Sequence, residues 1–274
     1  MLTLDILICT VNTRIVRIPD MLMPVKDGVN YIISFQYTKD DYLKMVPETL
    51  LERSDVKFVK LRGEGLSANR NNALSYATSD LVYLIDDDTR FLPHTVDVIQ
   101  ETFEKNPDVD IAIYKTQSYA GKDVREYGQS ARELTTFKDF IAVLTNEMVC
   151  RRSKIAGILS YDHRFGLGAH YLACYEEQVW LADARQHNLK IKYFPKAINQ
   201  TSAIFLPRLI FVDTKVQRSF GALLAYVYGP LAFYKAFEYS FNAFRKRTAH
   251  FFPMLHHYLQ GISYIHKTKK RPVS

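Results

Sequence analysis

Tyr83-Leu84-Ile85-Asp86-Asp87-Asp88 closes an apolar run that begins at Leu81. The run Leu81 to Ile85 shows no polar alternation, which is how a strand buried on both faces reads. Three adjacent carboxylates at the end of such a strand repel one another. Holding them there is costly unless a cation or hydrogen-bond donors compensate. Asp oxygens suit Mg²⁺ or Mn²⁺, ions that sit between one or two carboxylates and the phosphates of a substrate. The stretch therefore points to a nucleotide site; the other reading is an exposed acidic turn ahead of a helix near His94.

Outward from this run, strand-like and helix-like segments alternate, as in a sheet with crossover helices. Leu4 to Cys9, Tyr31 to Phe35 and Val56 to Leu61 read as strands before it. Gly63 and Gly65 then break the chain, and Ser67 precedes a helix over Ala68 to Ala77. After the Asp run, Pro93 opens a helix from His94 to Lys105, with Val96, Ile99 and Phe103 on one face. Val109 to Tyr114, Asn146 to Cys150 and Leu189 to Phe194 complete the strands, Pro195 ending the last. The stretch Ala120 to Phe137 is polar and unpatterned. The glycine-rich Phe165-Gly166-Leu167-Gly168-Ala169 leads into a helix from about Tyr175 to His187, with Asn188 as its C-cap.

Composition bounds the class. With 274 residues and 47% hydrophobic content, the chain is long enough for one α/β domain and an appendage. Cys9, Cys150 and Cys174 are widely spaced and form no CxxC pair, which argues against a disulfide framework or a structural zinc site. Met1 to Cys9 lacks the basic start and long apolar core of a signal peptide, so a cytoplasmic location is expected. The formal charge of +7 is uneven: Pro207 to Ser274 holds 11 Lys or Arg against 2 Asp or Glu, leaving a slight acidic excess before it. The same tail is dense in aromatic residues, including Phe220, Tyr226, Phe233, Tyr234, Phe237, Phe241, Phe244, Phe251 and Phe252. Basic residues among aromatics suggest an anionic membrane surface, or else a helical region packed on the core with its cations solvated. Its longest uncharged run, Phe220 to Tyr234, is interrupted by Gly221, Gly229 and Pro230 and falls short of the ~20 apolar residues of a spanning helix.

The order of these elements, with Gly65-Leu66-Ser67-Ala68-Asn69-Arg70-Asn71, the strand ending in Asp86-Asp87-Asp88, the glycine loop and Glu176-Glu177, resembles glycosyltransferase family 2 of the bacterial surface-polysaccharide type. The resemblance covers roughly Leu2 to Ile204. It implies a GT-A, Rossmann-like α/β fold, with a mixed central sheet flanked by helices over residues 1–206. Residues 207–274 form the helical, basic and aromatic appendage. The implied function is an inverting, metal-dependent hexosyltransferase. It would move a sugar from a nucleoside diphosphate donor, a UDP-sugar in the first instance, to a hydroxyl of a saccharide or lipid-linked acceptor.

Residue by residue, the resemblance makes Asp88 the direct Mn²⁺ or Mg²⁺ ligand, with Asp86 near the metal and the nucleotide's ribose or base and Asp87 between them. Arg70 stands where the family has the Arg of an Ala-Arg-Asn triplet, and its planar fork suits a phosphate. Glu176-Glu177 stands where the family has Glu-Asp, whose second acid is the base; Glu177 is the candidate and Glu176 its rival. An acceptor hydroxyl must lose its proton as it attacks, which is why a base is needed. Trp180 either stacks on a sugar or belongs to the core.

Three positions depart from the family. The opening Pro-x-Tyr-Asn is replaced by Ile8-Cys9-Thr10-Val11-Asn12, leaving Thr10 and Asn12 as nucleotide contacts. The Asp after the second strand is replaced by Gln36, whose amide can still meet a base edge. The His after the last strand is replaced within Asn199-Gln200-Thr201-Ser202. Among rival readings, a phosphatase of the haloacid-dehalogenase type wants Thr or Val where Arg90 stands. A sugar-phosphate nucleotidyltransferase wants a glycine-rich phosphate loop near the first strand. A nucleic-acid-binding protein with an inert α/β support would use the basic tail, but aliphatic runs such as Leu223-Leu224-Ala225 favour a membrane, and no nucleic acid partner is expected.

Overall fold

A computed structural model describes residues 1–202 and 209–268 of the chain. Two compact units emerge. The first comprises Met1–Glu64, Asn69–Leu159 and the segment from Ala184 through the last strand; the second comprises Gly65–Ala68, Ser160–Asp183 and the helices from Leu209 onward. The boundary expected at 206/207 lies outside the described residues.

The first unit is built on a mixed sheet. In chain order its strands are β1 (Leu4–Val11), β2 (Val29–Tyr37), β3 (Val56–Arg62), β4 (Leu81–Asp86), β5 (Thr89–Phe91), β6 (Ile111–Ser118), β7 (Arg132–Glu133), β8 (Met148–Arg151) and β9 (Ile191–Thr201). They are ordered β3-β2-β1-β4-β8-β6-β9-β5, with β7 paired to β9 off this path. The half β3-β2-β1-β4 is parallel, and β8 then runs antiparallel to β4. All of β1 but its last residue is buried, and likewise β4, which explains their unbroken apolar sequence. Asp5 lies inside β1 yet is fully compensated: its carboxylate accepts from the backbone N–H of Thr78 and Ser79 and from the Ser79 hydroxyl.

Helix α1 (Leu66–Ser75) follows the Gly63 and Gly65 break and α2 (Thr95–Lys105) follows Pro93, as the sequence predicts, but α1 starts at Leu66, so Ser67 lies inside it rather than capping it, its hydroxyl donating to the Phe165 carbonyl. α3 (Glu176–Gln186) ends at Asn188, which adopts the left-handed φ of 58° while Leu189 N–H donates to the Ala184 carbonyl.

One further expectation is corrected. Pro195 does not end the last strand, which continues to Thr201. Opposite it the β6–β9 register jumps from Ile113↔Tyr193 to Lys115↔Ala197, so Pro195 falls in a bulge where no ladder N–H is required. The polar, unpatterned stretch 120–137 contributes structure that its sequence does not announce. It supplies β7 and the Arg125 and Tyr127 side chains that hold Glu147, a fully buried carboxylate, by hydrogen bonds of 2.5 Å each. Burial raises the Glu147 carboxyl above its ordinary range despite these donors.

The second unit contains α4 (Thr214–Tyr228), α5 (Ala232–Arg245) and α6 (Phe251–Lys267). Asp213 caps α4 by accepting from the N–H groups of Lys215 and Val216. Arg164 grips Asp162 through two nitrogens and donates to the carbonyl and hydroxyl of Thr268 at the end of α6, while Tyr226 of α4 donates to the same Asp162. Burial pushes the Asp162 carboxyl up, but the Arg164 bonds outweigh it and hold it below its usual range.

Helices α4 and α6 approach through two glycines. A Cβ at Gly221 would lie 2.1 Å from the Tyr258 carbonyl oxygen, and one at Gly261 would lie 1.9 Å from that of Arg218. Because the obstacle is backbone, Gly261→Ala must push the helices apart; we expect a loss of about 3 kcal/mol in urea unfolding. An unchanged midpoint would mean that the helices are not in this contact. Among the described residues no helix is long and apolar enough to cross a membrane. The uncharged run is interrupted where Gly229 takes a left-handed φ of 54° and Pro230 follows.

Candidate active site

The parallel strands deliver their C-terminal ends to one edge, where α/β sheets gather ligand-binding residues. Cys9 of β1 is in register with Asp86 of β4, so the residues that follow them, Thr10 and Asp87, become neighbours. Thr10 Oγ1 donates to Asp87 Oδ2 at 2.8 Å, and the Arg14 guanidinium pairs with the other carboxylate oxygen. Asp87 is buried and turned inward. Burial raises its pKa, opposed by Arg14 and Thr10. Asp86 and Asp88, by contrast, stay partly open to solvent.

Arg70 reaches Asp86 from α1, with Nη2 3.1 Å from Oδ1. At 1% exposure Arg70 is no surface residue. Its position is set by its neighbour: Asn69 accepts from the Ser34 hydroxyl at 2.6 Å and donates to the Thr10 carbonyl at 3.1 Å, tying α1 to the ends of β1 and β2. Asn72 adds a bond to the same Ser34 hydroxyl. The Ser-Ala-Asn-Arg-Asn segment thus locks a helix so that one buried guanidinium meets a half-exposed carboxylate.

Asp88 is held from three sides. Its Oδ2 accepts from Ser202, its Oδ1 from Thr201 Oγ1 at 3.4 Å, and its backbone carbonyl from the Tyr119 hydroxyl. The antiparallel pairing of Thr89 with Thr201 explains this, because it brings the residue before β5 beside the end of β9. Arg90 lies 4.1 Å over the Tyr119 ring. The hydroxyls of Thr201 and Ser202 therefore stand in the segment that replaces the family's His. The sequence offered no sign of Arg14 or Tyr119. That Ser202 meets Asp88 depends on β5, a three-residue strand too short to show a pattern in sequence.

Other candidates fall nearby or elsewhere. Asn12, with a left-handed φ of 49°, accepts from Thr38 N–H at 3.0 Å and so fastens the loop after β1 to the end of β2. Gln36, second from the end of β2, is buried, opposite Val11. Cys9 is buried as well, which pushes its thiol up to about 12.

Glu176 and Glu177 open α3 in the second unit, and their environments differ. Glu176 is buried and Glu177 is partly exposed. Glu176 packs beneath the glycine loop: a Cβ on Gly166 would lie 3.1 Å from its carboxyl carbon and 3.3 Å from Ser67 Oγ. Gly166 also has a φ of 99°, so both space and backbone demand glycine there. Ser67 Oγ donates to the Phe165 carbonyl at 2.7 Å, holding the loop's start. Trp180 is 2% exposed and stacks on Tyr161 with centroids 5.8 Å apart, so it belongs to the core rather than to a sugar platform.

Asp86 and Asp88 offer hard carboxylate oxygens, and among the described residues no group of three His, Cys, Asp or Glu side chains is assembled that could hold a metal alone. Two carboxylates suit Mg²⁺ or Mn²⁺, which complete their shells with water and substrate phosphates. The donor set fits such an ion.

A parallel half-sheet, a reversal at β8 and an acidic cluster at the end of β4 define a GT-A type α/β enzyme. The model of the family described as Glycosyl transferase family 2 matches residues 6–160, and the chain belongs to that family. Glu176 and Glu177 lie beyond the matched residues. No curated protein matches the chain by sequence. Among solved structures, residues 1–349 of S. aureus TarS superpose with a TM-score of 0.62 at 14% identity, covering 98% of this chain and 93% of that one. The same TarS segment in complex with UDP-GlcNAc gives 0.56 at 17% identity, covering 81% and 66%. A longer TarS chain gives 0.57 at 17% identity, and this chain spans 40% of its length. At these identities the likeness is one of fold.

Proposed function

We propose that this glycosyltransferase moves a hexose from a nucleoside diphosphate donor to a hydroxyl of a saccharide or lipid-linked acceptor, with inversion at the anomeric carbon. The observation that carries the reading is the division of labour in the Asp run. Asp87 is buried and neutralised by Arg14 and Thr10, while Asp86 and Asp88 remain accessible at the end of β4, braced by Arg70 and Ser202.

In this reading Asp88, with Asp86, holds Mn²⁺ or Mg²⁺, and the bound ion would offset charge on the leaving diphosphate. Arg70 fixes the Asp86 carboxylate and supplies a fixed positive charge beside it. Thr10, Asn12 and Gln36 line the strand ends that receive the nucleotide, and the UDP-GlcNAc complex of the TarS neighbour favours a UDP-sugar. Glu177 takes the acceptor's proton as its oxygen attacks, and a single displacement with one base inverts the configuration. Glu176 supports the Gly166 loop, which shapes the acceptor side.

Calorimetric titration with UDP, GDP, CDP and ADP, each with and without Mn²⁺, tests the donor half. Binding of UDP that strengthens at least tenfold with Mn²⁺ is the expected result. Equal affinity for all four regardless of metal would refute it.

A further inference from the structure

Helix α5 carries its side chains the wrong way round for a helix in water. The residues it buries are small, Ala232, Ala236, Ser240 and Ala243, whereas Phe233, Phe237, Phe241 and Phe244 are 51%, 51%, 44% and 54% exposed. The exposed rings recur at intervals of three or four and so form one stripe along the helix. The stripe continues onto the start of α6. Phe251 packs edge-on against Phe237 at 5.3 Å and touches Phe252, which is 79% exposed. A continuous aromatic surface of this kind marks an interaction site rather than scattered surface residues.

Its electrostatic surroundings select the partner. Arg245, Lys246 and Arg247 follow Phe244 directly, are all exposed, and take part in no ion pair among the described residues. The left-handed Arg247, φ 55°, makes the turn that returns the chain to Phe251 and Phe252. The tip of this hairpin therefore places three cations between aromatic residues. Across the described residues of α4 to α6, the acids are Asp213, which caps α4, and Glu238, which pairs with Lys235. A second copy docking through the same face would bring the same cations and no acids beyond Asp213 and Glu238. An anionic lipid surface supplies both the negative charge and the apolar layer.

We propose that the α5–α6 hairpin is a membrane-docking surface, with Phe233, Phe237, Phe241 and Phe252 entering the interface of an anionic phospholipid bilayer and Arg245 to Arg247 lying at its headgroups. Aromatic rings with a flanking basic cluster are the residue types that lie in such an interface without crossing it. Attraction to anionic lipid contributes about 1 kcal/mol per Lys or Arg near the surface, so three cations correspond to about a hundredfold in partitioning.

The test is sedimentation of the full chain with phosphatidylcholine vesicles, alone or containing roughly one third phosphatidylglycerol. Binding to the anionic vesicles only, weakened about a hundredfold in the triple variant R245Q/K246Q/R247Q and at least tenfold in F237S/F241S, is expected. The cation variant changes only exposed side chains, so it remains informative if the aromatic variant fails to fold. Absence of binding, or binding unchanged in both variants, overturns the proposal. So does a dimer in light scattering that F237S/F241S dissolves while neither protein sediments with lipid, because the stripe would then be a self-interface.

Discussion

Asp88→Asn is expected to lower turnover about a thousandfold while leaving the fold intact, the scale at which removing one preorganised electrostatic group acts. The substitution keeps the shape, and the Asn carbonyl can still accept from Ser202. Tyr119 binds the backbone carbonyl of residue 88, which the change does not touch. Stability should therefore move by less than about 0.5 kcal/mol, as for a partly exposed position. What is lost is one negative charge at the point where a divalent ion would meet the donor's phosphates. A thousandfold loss corresponds to about 4 kcal/mol of barrier. Calorimetry should show that UDP binding by the variant no longer responds to Mn²⁺. A variant with undiminished turnover would take Asp88, and the metal with it, out of the reaction.

The fold was legible wherever burial on both faces made the sequence monotonous. β1 and β4 declare themselves because nothing polar interrupts Leu4–Cys9 and Leu81–Ile85 except Asp5, whose compensation by Ser79 and Thr78 is long-range and invisible in sequence. The Asp run stood out for a related reason: a charge cluster ending an apolar strand needs an explanation that local structure cannot give. Its internal division was hidden. That Asp87 turns inward depends on the β1–β4 register, which places Thr10 beside it, and on Arg14 returning from the loop. Arg70 shows the same limit. The residue type suggested a phosphate contact, but its burial follows from Asn69 bridging β1 and β2. The tail was ambiguous because composition cannot report orientation. Small residues inward and aromatics outward on α5 have the same periodicity as the opposite arrangement.

For Glu177→Gln, turnover should fall by about 10²- to 10⁴-fold, the range that a positioned general base contributes, with nucleotide affinity unchanged. The amide is isosteric but accepts no proton, so the loss reports proton transfer rather than packing. The comparison that decides the assignment is Glu176→Gln. Glu176 is buried beneath Gly166, so replacing its carboxyl by an amide should act on the loop and show first as a changed melting temperature and acceptor KM. Glu177 is partly exposed at the first turn of α3, where the proposed reading has it meet an acceptor hydroxyl. Raising pH offers an independent readout, since a weakened base should be partly relieved as hydroxide replaces it, whereas a misplaced loop should not. If Glu176→Gln alone abolishes turnover at unchanged KM and stability, the roles are reversed and the buried acid is the base.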